Sequence, residues 1–266
     1  MGRTLLGLFL VIAVFAGLGT LGWYLVKDEI RDTAEQHLSA EHIAVSPPPY
    51  WVPDRFVEEV LQSSGLNQTG YLQDKTLPQK LAEAFAAHPW VEKVEHAALR
   101  YPSGAEVKLS YRVPAALVEI AKRRVLPVDR NGVLLPQTYL TETASEQWSK
   151  HFVIRGIQSM PLGSPGTPWG DPMVVTAAQL AAELSDIAEP LNLATIIPAK
   201  EIVPSGSRIT CRLKTAGGME FHWGPFAPND PMTEAKRKKL QTLHDQFQSL
   251  DNIPANFRPM IDLSSE

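Results

Sequence analysis

Between Ala105 and Val113 the chain alternates without a slip. Ala105, Val107, Leu109, Tyr111 and Val113 are separated by Glu106, Lys108, Ser110 and Arg112. A period of two predicts a strand with one buried and one wet face. Upstream the period turns helical. Phe56, Val57, Val60 and Leu61 share one side of a helix over "DRFVEEVLQSSGL", which Gly65 ends. "TLPQKLAEAFAAH" predicts a second helix, with Pro78 in its first turn and Leu81 and Phe85 one turn apart. "GLNQTGYLQD" between them reads as a loop. Pro89 cannot continue the helix, so Trp90 falls where the chain passes into the extended run "VEKVEHAALRY". "PSG" (102–104) is the expected turn before the alternating strand. A short strand is expected at His42–Val45, followed by the stiff segment "SPPPYWVP". The predicted order is strand, helix, helix, strand, strand, with the helices on one face.

Downstream, "VLPVDRNGVLLP" places Asn131-Gly132 between apolar runs, a hairpin signal. "HFVIRGI" (151–157) reads as a strand, and "GSPGTPWGDP" as a loop. Asp171 is placed to cap a helix that has Pro172 at its first position and Val175, Leu180, Leu184 and Ile187 as its main apolar residues. "LATIIPAKEIV", "SRITCRLKT" and "MEFHWG" are further strands, the last two joined across "AGG". A final helix is expected from Thr233, with Leu240, Leu243, Phe247 and Leu250 as its stripe, and "FRPMIDLSSE" closes as an edge strand. Either its unpaired groups accept a strand from another chain, or the strand lies inside the sheet or is capped by the 233–250 helix. The alternating strand from Ala105 to Val113 is the next candidate edge. The fold class is α+β, in two small domains.

The apolar pattern at the N-terminus is different in kind. Leu5 to Val26 carry no charge, with Trp23 and Tyr24 near the end. At ~1.5 Å per residue the run covers about 33 Å, enough to cross a bilayer. It exceeds a signal-peptide core and lacks a clean A-x-A site, so an uncleaved anchor in the lipid bilayer is expected over 5–26. Arg3 precedes it and Lys27 and Arg31 follow, so charge alone sets no orientation. Residues 27–41 read as a polar, partly helical spacer.

Composition adds exclusions. The net charge of −4 gives no electrostatic footprint for nucleic acid, and one cysteine precludes an intrachain disulfide. No G-x-S-x-G, H-E-x-x-H, Walker or dinucleotide-binding pattern occurs. Cys211 with His222 as its base is the one candidate nucleophile, but Ile209, Cys211 and Leu213 share a strand face, so a buried, inert thiol is expected. His37 and His42 miss the one-turn spacing of helical metal ligands, and no cofactor or metal is expected. "KRKK" (236–239) reads as a solvated helix face, and "NQT" (67–69) as a chance glycosylation tripeptide. A chain of many strands without a reactive constellation suits binding through sheet edges.

"LAEAFAAHPWVEKVEHAALRYPSGAEVKLSYRVPAALVEI", followed by "PVDRNGVLLP", resembles the bacterial cell-division proteins FtsQ and DivIB. The family pattern falls on Pro89, Trp90 and Val91, on Arg100 to Pro102, on Tyr111, Arg112, Pro114 and Ala115, and on Val128, Asp129 and Gly132. "RPMIDL" is similar to its closing strand, with Ser264 where the family carries arginine. The resemblance implies a short cytoplasmic tail and transmembrane helix (1–26), the spacer, a POTRA domain (42–120) and a C-terminal β domain with a mixed sheet and two helices (121–266). It further implies a non-enzymatic scaffold of the cytoplasmic membrane, N-terminus inside, at the division site. FtsB- and FtsL-like membrane proteins would be its partners, and Met260, Ile261, Asp262, Leu263, Ser264 and Ser265 would form the docking strand. The alternative is a POTRA-bearing adaptor in secretion or membrane-protein assembly; an anchored extracytoplasmic enzyme stands behind it.

Overall fold

The computed structural model describes residues 17, 20–21, 38–69, 74–100, 104–120, 124–137, 150–204, 206–247 and 260–263. The expected span at 5–26, most of the 27–41 spacer, most of the 102–104 turn, and Ser264 and Ser265 therefore lie outside the described residues. Among the described residues no helix is long and apolar enough to cross a membrane. The chain is α+β and divides into two compact units between Ser110 and Tyr111.

In the first unit, a turn of 3-10 helix at Ala40–His42 leads into β1 (Ile43–Val45). Helix α1 (Phe56–Ser64) buries Phe56, Val60 and Leu61 and stops at Gly65, whose φ of +71° is open to glycine at little cost. The expected loop after it contains a single helical turn, α2 (Leu66–Thr69), whose Leu66 is buried. Helix α3 (Leu77–Ala86) buries Leu77, Leu81 and Phe85, with Pro78 in its first turn. Then come β2 (Val91–Leu99) and β3 (Ala105–Tyr111). The sheet order is β1-β3-β2, with β1 parallel to β3. Strand β3 is thus central, which corrects its expected role as a free edge. It also ends two residues early. Val113, expected on the buried face, is 57% exposed, because the ladder stops at Tyr111 and Arg112–Val113 form a link.

The second unit begins ten residues before the boundary expected at 120. Strand β4 (Pro114–Ile120) belongs to its seven-stranded sheet, not to the first domain. With β5 (Arg124–Asp129), β6 (Phe152–Ile154), β7 (Leu193–Val203), β8 (Gly206–Thr215), β9 (Glu220–Pro225) and β10 (Ile261–Asp262), the order is β10-β9-β8-β7-β6-β4-β5. Strands β4, β6 and β7 run parallel, β5 and β8 are antiparallel to their neighbours, and β10 lies parallel to β9. Asp171 caps α4 (Pro172–Glu183), its carboxylate accepting the Met173 N–H at 2.9 Å. The buried face of α4 is Val174, Ala177, Ala178, Leu180 and Ala181; Val175, expected in the stripe, is only half-buried. Small residues there let the helix sit close on β4, β6 and β7. A short α5 (Ser185–Ala188) buries Ile187. Helix α6 (Pro231–Phe247) sends Leu240 into the core, which also holds Trp223, Phe221, Leu213 and Cys211. Leu243 is half-buried; the side chains of Phe247 and Leu250 lie outside the described residues.

Candidate interaction site

Pro89, Trp90 and Val91 belong to the first unit. The Val91 N–H donates to the His88 carbonyl at 3.0 Å, closing the turn that carries the chain from α3 into β2. Trp90 is 1% exposed at that seam. His88 stands edge-on to Phe56, with ring centroids 4.8 Å apart, and its Nε2 lies 3.7 Å from the Glu59 carboxylate. Burial pushes the His88 imidazole below its ordinary value, and Glu59 only partly opposes this. The folded pKa is depressed, so the unfolded chain binds the proton first as pH falls. Stability from this site is full above the unfolded value near 6.5 and is lost below it, through the folded value. We expect the first unit to melt lower at pH 5 than at pH 7.5. The drop should shrink in His88→Gln, as read by thermal unfolding of both chains across that range; equal drops would refute it.

Tyr111, Arg112, Pro114, Asp129 and Gly132 all fall in the second unit, where Arg112, Pro114 and Gly132 converge on Asp129. Burial raises the Tyr111 phenol to about 12. Arg112 Nη1 donates to Asp129 Oδ2 at 2.7 Å, and Asp129 is 2% exposed. Asp129 Oδ1 accepts the Asn131 and Val133 amides at 2.8 and 2.9 Å. That carboxylate starts the turn one residue earlier than expected. The Gly132 N–H bonds the Asp129 carbonyl, so Arg130 and Asn131 are the central pair rather than Asn131-Gly132. Gly132 follows at φ +70°, and a Cβ there would stand 2.9 Å from Val175 Cγ2 on α4. The sequence pattern marked both ends of this buried ion pair but gave no sign that they touch. Arg112, Asp129 and Gly132 thus brace the β4–β5 hairpin.

Met260, Ile261, Asp262 and Leu263 close the sheet at its β9 side. Leu263 is 2% exposed and Met260 58%. The Leu263 N–H donates to the His222 carbonyl at 2.9 Å, and Asp262 is registered opposite His222. In a parallel ladder, alternate residues turn their backbone groups to the neighbouring strand. Ile261 and Leu263 therefore face β9, and the N–H and C=O of Asp262 face outward. No described strand lies beyond them. The strand is short, Ile261–Asp262, as suits an edge.

The basic run is solvated only in part: Lys238 is exposed, but Lys236 and Arg237 are engaged. Lys236 is 6% exposed, and its Nζ donates to the Trp223 carbonyl at 2.7 Å while lying 5.4 Å from the Trp223 ring centroid. Burial pushes its pKa down. Arg237 bonds the Glu183 carbonyl and the Asp186 carboxylate, both at 2.5 Å, and joins α6 to the α4–α5 corner. Only anchoring can offset the burial of an ammonium group. The unbroken basic run concealed it, since the apolar stripe begins only at Leu240, one turn beyond Lys236.

Cys211 is fully buried in the core, its thiol pushed up to about 12 by that burial. His222 is opposite Arg212, on the other side of β9 from the buried Phe221 and Trp223, so Cys211 and His222 form no nucleophile–base pair. His42 bonds Ser39 rather than a metal site, and Asn67 is exposed within α2; His37 lies outside the described residues. No protein-family model matches the chain, and no curated protein matches it.

Proposed function

We propose that this chain is a single-span scaffold of the FtsQ/DivIB kind, held in the cytoplasmic membrane by residues 5–26 with its bulk outside. It recruits FtsB- and FtsL-like division proteins for septal cell-wall assembly and performs no chemistry of its own. One observation carries the reading. Among the described residues, a β-α-α-β-β unit, with one further helical turn at Leu66–Thr69, is followed by a mixed sheet whose last described strand is the parallel Ile261–Asp262, and the motif residues Trp90, Arg112 and Asp129 sit at structural joints. The first unit then corresponds to a POTRA domain and the second to the β domain, with β4 on the β-domain side. An edge whose Asp262 backbone groups face outward suits docking of an extended segment. The inert setting of Cys211 supports a scaffold over an enzyme. The test is the position of a fluorescent fusion in dividing cells. A band at the constriction site is expected; a diffuse peripheral signal throughout the cycle would overturn the reading.

A further inference from the structure

The sheet of the first unit is covered by helix on one face. Helix α3 packs on β2, and Ala105, Val107 and Leu109 of β3 are buried. The period of two therefore sends Glu106 and Lys108 to the opposite face. A trough of about 420 Å³ lies there. Ala44 stands beside Glu106 in the β1–β3 register and, being small, keeps the floor low. Pro47 lines the β1 side of the trough, and Glu95 and Arg100 line the β2 side.

Four charges line this trough, and their signs alternate along β3. The Arg100 N–H donates to the Gly104 carbonyl at 2.8 Å, which sets Arg100 level with Gly104. Glu106 and Lys108 follow on β3 itself. The Ser110 hydroxyl donates to Glu95 Oε1 at 2.6 Å, which brings that carboxylate level with Ser110. The row reads plus, minus, plus, minus beside residues 104, 106, 108 and 110. Each step is two residues, or about 7 Å of strand. The side chains of Arg100, Glu106 and Lys108 make neither a hydrogen bond nor an ion pair among the described residues, and Glu95 has only the hydroxyl. The row therefore keeps its charge for something outside the chain.

An extended polypeptide sets its side chains on one face at the same step of two residues. From this match we propose that the trough docks an extended partner segment whose acidic and basic residues alternate at every second position, each facing a charge of opposite sign. The segment lies on the face of the sheet and is held by its side chains. The inference thus stands apart from the β10 edge and from the membrane reading. The alternation also decides the class of partner. A nucleic acid or an anionic bilayer presents one sign, and meets as many like charges as opposite ones along the row. A second copy of this face would set one hollow against another and leave the space between them unfilled.

The test uses the full chain in detergent and two peptides of one composition, with binding read by isothermal titration. Acetyl-Thr-Glu-Thr-Lys-Thr-Glu-Thr-Lys-Thr-amide alternates its charges. Acetyl-Thr-Glu-Thr-Glu-Thr-Lys-Thr-Lys-Thr-amide carries the same charges in blocks, so two of its four pairs against the row are repulsive. Wild type is expected to bind the alternating peptide roughly tenfold more tightly than the blocked one. The double exchange Glu106→Lys/Lys108→Glu turns the row into plus, plus, minus, minus, and the preference should then invert. Lys108 is exposed and Glu106 half-buried, so the exchanged chain should melt with wild type. Should it not fold, Glu106→Gln/Lys108→Gln decides the matter in its place, and is expected to bind the two peptides alike. Equal binding of the two peptides by wild type, or binding of neither, overturns the proposal. So does a preference that survives unchanged in the exchanged chain or in the double-Gln chain. None of these outcomes bears on docking at β10.

Discussion

Replacing Trp90 by alanine is expected to lower the stability of the first unit by about 3–5 kcal/mol, the usual cost of deleting a fully buried tryptophan. The ring is 1% exposed at the turn where the α3–β2 passage is closed by the Val91-to-His88 bond. No local collapse can refill that space, because the backbone on both sides is fixed by Pro89 and by the ladder of β2. For a unit of this size, the loss corresponds to a fall in melting temperature of roughly ten degrees or more. Hydrogen exchange in the full chain will localise it: amides of α3 and β2 should lose protection while those of β7 and β8 keep theirs. Trp90→Phe, which retains most of the apolar volume, should recover a large part of the loss. A Trp90→Ala chain that melts within a degree or two of wild type would show that the ring merely covers the seam.

Asp129→Ala should damage the second unit to a similar extent, again about 3–5 kcal/mol. The substitution takes a charged partner from the Arg112 guanidinium, whose side chain is 17% exposed, and removes the acceptor for two backbone amides at once. Arg112→Met is expected to cost less, since it leaves the Asn131 and Val133 amides bonded. The pair Arg112→Met/Asp129→Ala should be more stable than the sum of the two losses predicts, because the contact between the two side chains is then lost once rather than counted twice. Urea unfolding of the four chains completes the cycle. Strictly additive losses would mean that the ion pair is incidental and that Asp129 matters only to its turn.

Several elements were legible because local chemistry and burial agree. Phe56, Val60 and Leu61 repeat at helical spacing, and Gly65 is needed where φ turns positive. Asp171 and Pro172 start α4 as their chemistry dictates. The failures have a common physical source, namely pairings between distant residues. The boundary implied at 120 put "PAALVEI" in the first domain, and nothing in that apolar run opposes it, since it fits a buried strand in any sheet. Only its register with Val128 and Phe152 assigns it to the second unit. The single turn at Leu66–Thr69 is too short to leave a period. At the candidate site, the strand character of Ile261 was visible, but a parallel pairing with β9 was not. Lysine patterns on α6 carried no sign that Lys236 turns inward or that Lys239 reaches Asp262, since both contacts depend on where the helix lies across the sheet.

The place of β10 in the sheet has a consequence for how the chain is made. Its partner β9 ends at Pro225, and α6 intervenes before Ile261 can pair with Phe221. Synthesis from the N-terminus leaves the outer side of "EFHWGP" bare for an interval on the order of seconds. During that interval the nascent chain presents Phe221 and Trp223 on an open strand. In the finished fold the Lys236 bond to the Trp223 carbonyl holds α6 against β9. If α6 docks as it emerges, the lysine that anchors the finished helix would also shield an unfinished sheet.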